Sequence, residues 1–397
     1  MKKSLLAVAV LGAMSGAAFA QVAPNNITLY GIVDAGLQST RTTTQTAANV
    51  ASTRATVNGL NSGIQSGNRW GLRGSEDLGG GLRANFQLES GFTLDNGALA
   101  QGSSTTANRR LCIDNTTSAV TSPGSASCPT GTTAANVATG VTPTNRLFGR
   151  AAWMGLSGGF GEVRLGRMAV YSSNVTAIAD PFGNGFNNAA WTYLSTAAGP
   201  QRNDNTVLYL TPTMSGLQGG LYYSFGEVAT PATASTAKDN WLGLGVTYTA
   251  GPLALGLAYD SVDSSRDAAN ANATTAAVTS QRDTKWLNLG ASYNFGVATV
   301  RFGYVDQEAA NRTDRKGYII GANVPLAGGV LLASYQDGED KTSAGVKTDY
   351  SRLSLGYTYN LSRRTNVYTA FSNGKSKEPT YTSSKDRQLS LGVRHTF

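Results

Sequence analysis

Histidine is almost missing from this sequence of 397 residues: His395 is the only one. Catalysis of the Ser/His or Cys/His type, or a histidine-based metal site, would have to run through it. Its neighbours at two-residue spacing are Val393 and Phe397, both apolar, so it reads as a rim residue and not a catalyst. Cysteine is nearly as scarce, with Cys112 and Cys128 alone, and no further metal ligands flank them. In an exported chain such a pair is expected as a disulfide that clips its Ser/Thr/Gly-rich loop. A phosphate-binding loop is also lacking, because "NGKS" at residues 373–376 has Thr369 where the earlier glycine is required. The acids of "QDGEDK", Asp337, Glu339 and Asp340, lack the ligand spacing of a calcium loop and read as a hydrated turn. The sequence therefore offers no catalytic constellation, metal site or cofactor motif. Lysine and arginine exceed acids by eight but are scattered among them, which argues against nucleic acid as a partner.

Long apolar runs are missing too. Beyond the first twenty residues no stretch approaches the 18 or more apolar residues of a membrane helix. Those first twenty, "MKKSLLAVAVLGAMSGAAFA", have a cationic start at Lys2 and Lys3, a short apolar run, and small residues at Ala18 and Ala20. That is the pattern of a secretory signal peptide cleaved after Ala20, leaving residues 21–397 as one domain. Any passage of this exported chain through a membrane must then use strands.

Strands are what the rest of the sequence offers. Glycine is abundant at 47 residues, tyrosine exceeds phenylalanine by 17 to 12, and proline is limited to 11. In "PLALGLAYD", Leu253, Leu255, Leu257 and Tyr259 alternate with Ala254, Gly256, Ala258 and Asp260. "GLRANFQLESGF", "WLNLGASYNF" and "RLSLGYTYNL" repeat this two-residue period, which gives a strand one oily and one wet face. Several such runs end in Tyr or Phe beside a turn, as an aromatic girdle at a membrane interface would. Sixteen candidate strands begin near residues 27, 66, 81, 145, 160, 203, 216, 240, 252, 283, 297, 315, 329, 349, 365 and 386. Short turns such as "DLGG" and "AGP" alternate with long polar loops, the third of which covers roughly residues 168–202. A soluble β-sandwich or β-helix would share the period, but a sandwich gives no reason for alternating connection lengths. In lipid no backbone group can go unpaired, so a membrane sheet must close on itself. The last strand, ending in "GVRHTF", must then pair with the first, "ITLYGIVDAGLQ". The fold class expected is all-β: a 16-stranded antiparallel transmembrane β-barrel.

"ITLYGIVDAGL", "NRWGLRGSEDLGGGLRANFQLESGF", "LFGRAAWMGLSGGFGEVRLGR" and the terminal "GVRHTF" occur in this order. Together they resemble the general porins of the Gram-negative outer membrane, in particular the β-proteobacterial type, from Ile27 to Phe397. The resemblance implies short periplasmic turns, long extracellular loops, a third loop folded into the pore, and a homotrimer. It implies partners in the lipid bilayer, lipopolysaccharide and the outer-membrane assembly machinery, which would read Phe397 and Val393 as the assembly signal. It places Arg69, Arg150 and Arg202 in the family's basic cluster on the barrel wall. Arg73 shares the face of Arg69, and Arg167, at the end of its strand, is a further candidate. Arg150 fits a simple alternation poorly, because Phe148 and Met154 would share its face. In the third loop Asp180 is the only acid and stands before Phe182 and Gly183, where the resemblance puts the constriction.

One acid against several permanently charged guanidinium groups leaves a net positive gap. The function expected is a water-filled channel for passive diffusion of small hydrophilic solutes, selective for anions. The rival is weak cation selectivity set by Glu89, Asp34, Glu76 and Asp77. A substrate-specific channel is a further alternative, with Trp191 and Tyr193 beside the constriction. A barrel adhesin or enzyme is the last, and the lone His395 and the lack of a large appended domain argue against it.

Overall fold

The structure is a computed structural model that describes residues 26–45, 51–100, 146–186, 202–226, 237–267, 279–281, 283–309, 313–378 and 383–397, with short strands between 111 and 135. The barrel strands are β1 (Asn26–Gln45), β2 (Arg69–Gly79), β3 (Leu82–Phe92), β4 (Ala151–Gly158), β5 (Gly161–Ala169), β6 (Arg202–Leu210), β7 (Leu217–Ser224) and β8 (Ala237–Ala250). They continue as β9 (Leu253–Asp267), β10 (Thr284–Asn294), β11 (Thr299–Ala309), β12 (Asp314–Leu326), β13 (Gly329–Lys341), β14 (Lys347–Asn360), β15 (Thr365–Lys377) and β16 (Ser383–Thr396). Each pairs antiparallel with its chain neighbour. The last pairs with the first, in register from Ile32 opposite Thr396 to Gln45 opposite Ser383. Gly31 and Phe397 exchange both backbone hydrogen bonds at 3.1 Å, so pairing runs to the final residue. No side chain fits at Gly31, because a Cβ there would run into the Phe397 ring. The sheet is a closed 16-stranded barrel, as the chain's alternation requires.

The oily face points out. Leu255, Leu257 and Tyr259 are exposed on β9, whereas Ala258 and Asp260 between them are fully buried inside. The strand starts expected from the sequence lie within three residues of those observed, with one exception. The fourth begins at Ala151 and not near 145, because residues 147–150 form turns and bends. The first long loop also differs from expectation. Its Thr-rich run "TRTTT" keeps β1 extended to Gln45, and the chain returns as a ribbon, Thr53–Ser62, paired with β1. β-Branched threonine favours the extended backbone, and β16 supplies a partner along that length.

The buried apolar residues lie where a segment of the third long loop packs on the inner wall. The segment holds helix α1 (Ser172–Ala179) and a turn through Phe186. Tyr171 lies against Gly220 and Gly245, Val175 and Ile178 against Gly256, Pro181 against Gly321, and Phe182 against Gly356. These glycines belong to β7, β8, β9, β12 and β14, so the segment runs round the wall in a track cleared of side chains. At its end Phe186 packs edge-on against Tyr368 of β15, and Ile64 is buried in the same cluster. Arg301 of β11 donates to the Ile178 carbonyl at 2.7 Å, at the helix end where carbonyls lack intrahelical partners. Asn323 of β12 donates to the Pro181 carbonyl at 2.7 Å.

Gly290 of β10 tests this seat, since a Cβ there would stand 2.5 Å from the Val175 carbonyl oxygen and meet no other part of the wall as closely. Gly290→Val is expected to leave the barrel assembled but lower its stability to urea by about 1–3 kcal/mol. It is also expected to alter the single-channel conductance. Unchanged stability and conductance would mean that the helix does not rest there.

Candidate functional site

The positive side of the lumen is built where β1 to β6 meet. Tyr30, Glu89, Gln87 and Trp153 all point inward, opposite in parity to Leu29, Leu88 and Met154. The Tyr30 hydroxyl donates to Glu89 at 2.8 Å, Gln87 donates to Tyr30 at 2.6 Å, and Trp153 donates to Gln87 at 3.1 Å. Arg73 lies over the Tyr30 ring at 5.2 Å and Arg164 over Trp153 at 4.4 Å, so the aromatic faces carry guanidinium groups.

Arg150 joins this network through Glu89, with Nε donating to the carboxylate at 2.6 Å. Simple alternation fails for it because it sits in the bend before β4, outside the regular strand. Its backbone N–H still bonds to the Glu89 carbonyl at 3.1 Å. Arg69, the first residue of β2, stands in the field of Arg150 and Glu89. Arg202, the first of β6, feels Arg150, Arg167 and Arg69 together with Glu89. The structure thus brings Arg69, Arg150, Arg167 and Arg202 together, while Arg73 lies further along β2 beside Tyr30.

Arg167 owes its position to a β-bulge. Two residues of β6, Asp204 and Asn205, oppose Arg167, and Asn205 takes a left-handed φ of 50°. Asp204 is thereby held by Arg167 at 2.6 Å and by Arg146 at 2.8 Å. Sequence reasoning passed over Arg146 and Asp204; "QRNDN" shows the charge but nothing in it signals the bulge. Two acids, Glu89 and Asp204, thus stand among five arginines, a local excess of positive charge.

The remaining acids lie elsewhere. Asp180 does not point across a gap at the arginines: it is buried, and its two oxygens accept the backbone N–H groups of Phe182 and Asn184 at 2.8 Å each. The carboxylate shapes its own turn, in the field of Arg301 on the far wall. That turn holds Phe182 against the wall and gives Gly183 a φ of 61°. Asp34 is fully buried and accepts from the Tyr368 hydroxyl at 2.6 Å and the Ser66 N–H at 2.5 Å. Glu76 and Asp77 lie by the turn that ends β2, where Asp77 accepts the Gly79 N–H at 2.9 Å.

A second inward feature escaped the sequence reading. Residues 63–68 fold inside, with Ile64 buried, Gln65 accepting from Asn366 at 2.7 Å and Ser66 accepting from Arg394 at 3.2 Å. Gly185, in the turn after α1, has no room for a Cβ because the Gln65 carbonyl lies against it. The two infolded segments therefore meet in the lumen. The side chains of Cys112 and Cys128, and Trp191 and Tyr193, lie outside the described residues. His395 is exposed on the outward face and shares a 2.8 Å hydrogen bond with Thr365. Val393 and Phe397 are exposed beside it, on the lipid-facing parity. Among the described residues no group of three or more His, Cys, Asp or Glu could hold a metal ion.

A family model described as Gram-negative porin matches residues 7–379. An outer membrane porin protein of Bordetella pertussis is 31% identical over the whole of both chains. Outer membrane porin protein 32 of Delftia acidovorans is 30% identical over 93% of this chain and 88% of its own. The solved anion-selective porin from Comamonas acidovorans superposes with a TM-score of 0.64 at 27% identity, covering 94% of this chain and all of that one.

The Arg150–Glu89 pair is nearly dry, with side-chain exposures of 9% and 11%. Arg150→Met alone leaves the desolvated Glu89 carboxylate without its ion-pair partner, held only by the Tyr30 hydroxyl and the field of Arg69, and is expected to cost about 3 kcal/mol, measured by urea unfolding in lipid. The double variant Arg150→Met/Glu89→Gln is expected to regain more than half of that. Equal losses in single and double variants would show that the pair does not interact.

Proposed function

The chain belongs to the Gram-negative porin family, and from that premise we propose how its pore selects among solutes. It is an outer-membrane porin, a channel for passive diffusion, and its relatives are channels. The reading proposed is selectivity for small anions, set by Arg69, Arg150 and Arg202 on one wall, with Arg167 and Arg73 adding to the field. The supporting observation is the pairing of charges: Glu89 and Asp204 are each bound by arginine, Asp34 and Asp180 are buried in internal hydrogen bonds, and Glu76 and Asp77 lie by the turn that ends β2, where Asp77 accepts the Gly79 N–H. Around Glu89 positive charge thus outnumbers negative, since Arg150 and Arg69 both act on it and Arg202 feels the same group. Selectivity of this kind needs only a field across a narrow aqueous gap and no tight site. The similar Comamonas porin is described as anion-selective, which agrees.

The same reading includes a homotrimer, as one similar structure of Vibrio cholerae OmpT is described as a trimer form. It also includes a constriction at the turn of Asp180, Phe182 and Gly183, an assembly signal at Val393 and Phe397, and a Cys112–Cys128 disulfide. Removal of residues 1–20 predicts that the mature protein begins at Gln21, which N-terminal sequencing of outer-membrane protein checks.

A planar bilayer under a salt gradient tests the selectivity. The reversal potential is expected to have the anion-favouring sign, and Arg69→Gln/Arg150→Gln/Arg202→Gln to move it toward or past zero. A cation-favouring wild type sinks the reading, and an unchanged potential in the triple variant sinks the assignment of residues.

A further inference from the structure

A cleft of about 160 Å³ lies on the wall formed by β13 to β16, away from the arginine cluster. Gln336, Tyr350, Arg352, Ser376 and Asp386 line it. They share the inward parity of the buried Ser334, Ser354, Ser372 and Gln388. Strand register sets Arg352, Gly374 and Asp386 side by side on three consecutive strands. Arg352 grips Asp386 with two prongs, Nη1 to Oδ2 at 2.9 Å and Nη2 to Oδ1 at 3.1 Å. Its Nη1 also donates to the Ser372 hydroxyl at 3.2 Å. The pair lies directly over Gly374, where a Cβ would run into both side chains, so glycine lets the pair form the floor of the cleft. Along β1, Asp386 stands opposite Thr42 and Arg69 opposite Ile32, ten residues lower, which is about 33 Å of strand. Over such a distance salt screens the field of the arginines, since the Debye length is about 8 Å at physiological ionic strength. The outward row at the level of the cleft, Ser351, Lys375 and Lys385, is polar, and the oily row of Leu355, Phe371 and Leu389 lies lower. The cleft therefore belongs to the extracellular mouth of the channel.

The lining favours a ligand that is polar and uncharged. Arg352 and Asp386 cancel each other, as do Asp337 and Lys375, which border the cleft on the alternate parity. With side-chain exposures of 15% and 28% the ion pair stays within reach of a solute. Each Asp386 oxygen uses one lone pair on Arg352 and keeps another for a hydroxyl donor, while the Tyr350 and Ser376 hydroxyls and the Gln336 amide both donate and accept. A molecule with several neighbouring hydroxyls meets all of these groups at once, and hydrogen bonds to charged partners are the stronger kind. The volume equals that of about five waters at about 30 Å³ each, which suits one sugar ring and not two. We propose that the cleft is a binding subsite for a neutral monosaccharide at the mouth of the channel. Arg352 and Asp386 hold two adjacent hydroxyls, Ser376 and Gln336 hold a third, and the Tyr350 ring covers the C–H face. An occupied subsite retains an uncharged solute at the entrance, which the field of the arginines does not do. The subsite does not depend on the pore's selectivity for anions.

The test uses the full mature protein in detergent micelles with D-glucose as probe, read by saturation-transfer NMR, and the same protein in planar bilayers. Wild type is expected to bind glucose with a millimolar dissociation constant. Ser376→Leu fills the cleft and leaves the ion pair in place, and is expected to weaken binding more than tenfold. Arg352→Gln/Asp386→Asn keeps the volume and the zero net charge, and is expected to weaken it about tenfold through loss of the charged hydrogen bonds. D-glucuronate, the same ring carrying a carboxylate, is expected to bind more weakly than glucose. Absence of glucose binding to wild type overturns the proposal, as does a Ser376→Leu protein that binds like wild type. Tighter binding of glucuronate would make the cleft an anion site and likewise overturn it. Both variants are expected to keep the wild-type reversal potential under a salt gradient, and a shift would put the cleft in the ion path and reject it as a subsite for neutral solutes. A cation-favouring wild type that still binds glucose would sink the anion selectivity alone and leave the subsite standing.

Discussion

Everything in this structure depends on one constraint: a backbone N–H or C=O in hydrocarbon must find its partner within the protein. A sheet in lipid can meet it only by closing, and here closure is complete to the last residue, where Phe397 and Gly31 exchange hydrogen bonds. Closure fixes the number of strands as even once both ends lie on one side, and it fixes parity. Outward residues alternate with inward ones along every strand, so the oily half of each strand is determined before any loop is placed. The last strand is the seam, paired along its length with the first.

With the wall so determined, the lumen becomes a container whose contents can be set by a few residues. Glycines at Gly220, Gly245, Gly256, Gly290, Gly321 and Gly356 clear a track, and the segment from Tyr171 to Phe186 lies in it. Arg301 and Asn323 hold the segment by its carbonyls. The segment is thus pinned by wall side chains to a part of the wall without side chains. On the opposite side, arginines outnumber the acids that bind them. In the selectivity we propose, one side sets the shape of the gap and the other its field.

The fold was legible because its signal is local and repeated. Alternation in "PLALGLAYD" and its counterparts survives an error of several residues in any boundary. Departures came where a second element intervened. "TRTTT" continued as strand because β16 and the returning ribbon were there to pair with it, and partners distant in sequence leave no local mark. The site was legible only in its residue types. Arg150 was identified by resemblance against its own parity, and the bend over residues 147–150 explains how it reaches Glu89. Asp180 looked like an acid aimed at arginines, yet its oxygens close the turn of its own loop. Nothing in a string of letters separates a carboxylate that faces water from one that accepts two backbone N–H groups.

By itself, then, the sequence determined an exported, closed, sixteen-stranded membrane barrel with a lipid-facing band, because period two and alternating connection lengths depend only on neighbours along the chain. Tertiary structure alone decided which charges are neutralised, where the bulge opposite Arg167 brings Asp204, and how residues 63–68 meet the turn after α1. Those outcomes depend on distances across the lumen and between strands far apart in sequence. Electrostatic effect follows distance and burial, and neither is written in the order of residues.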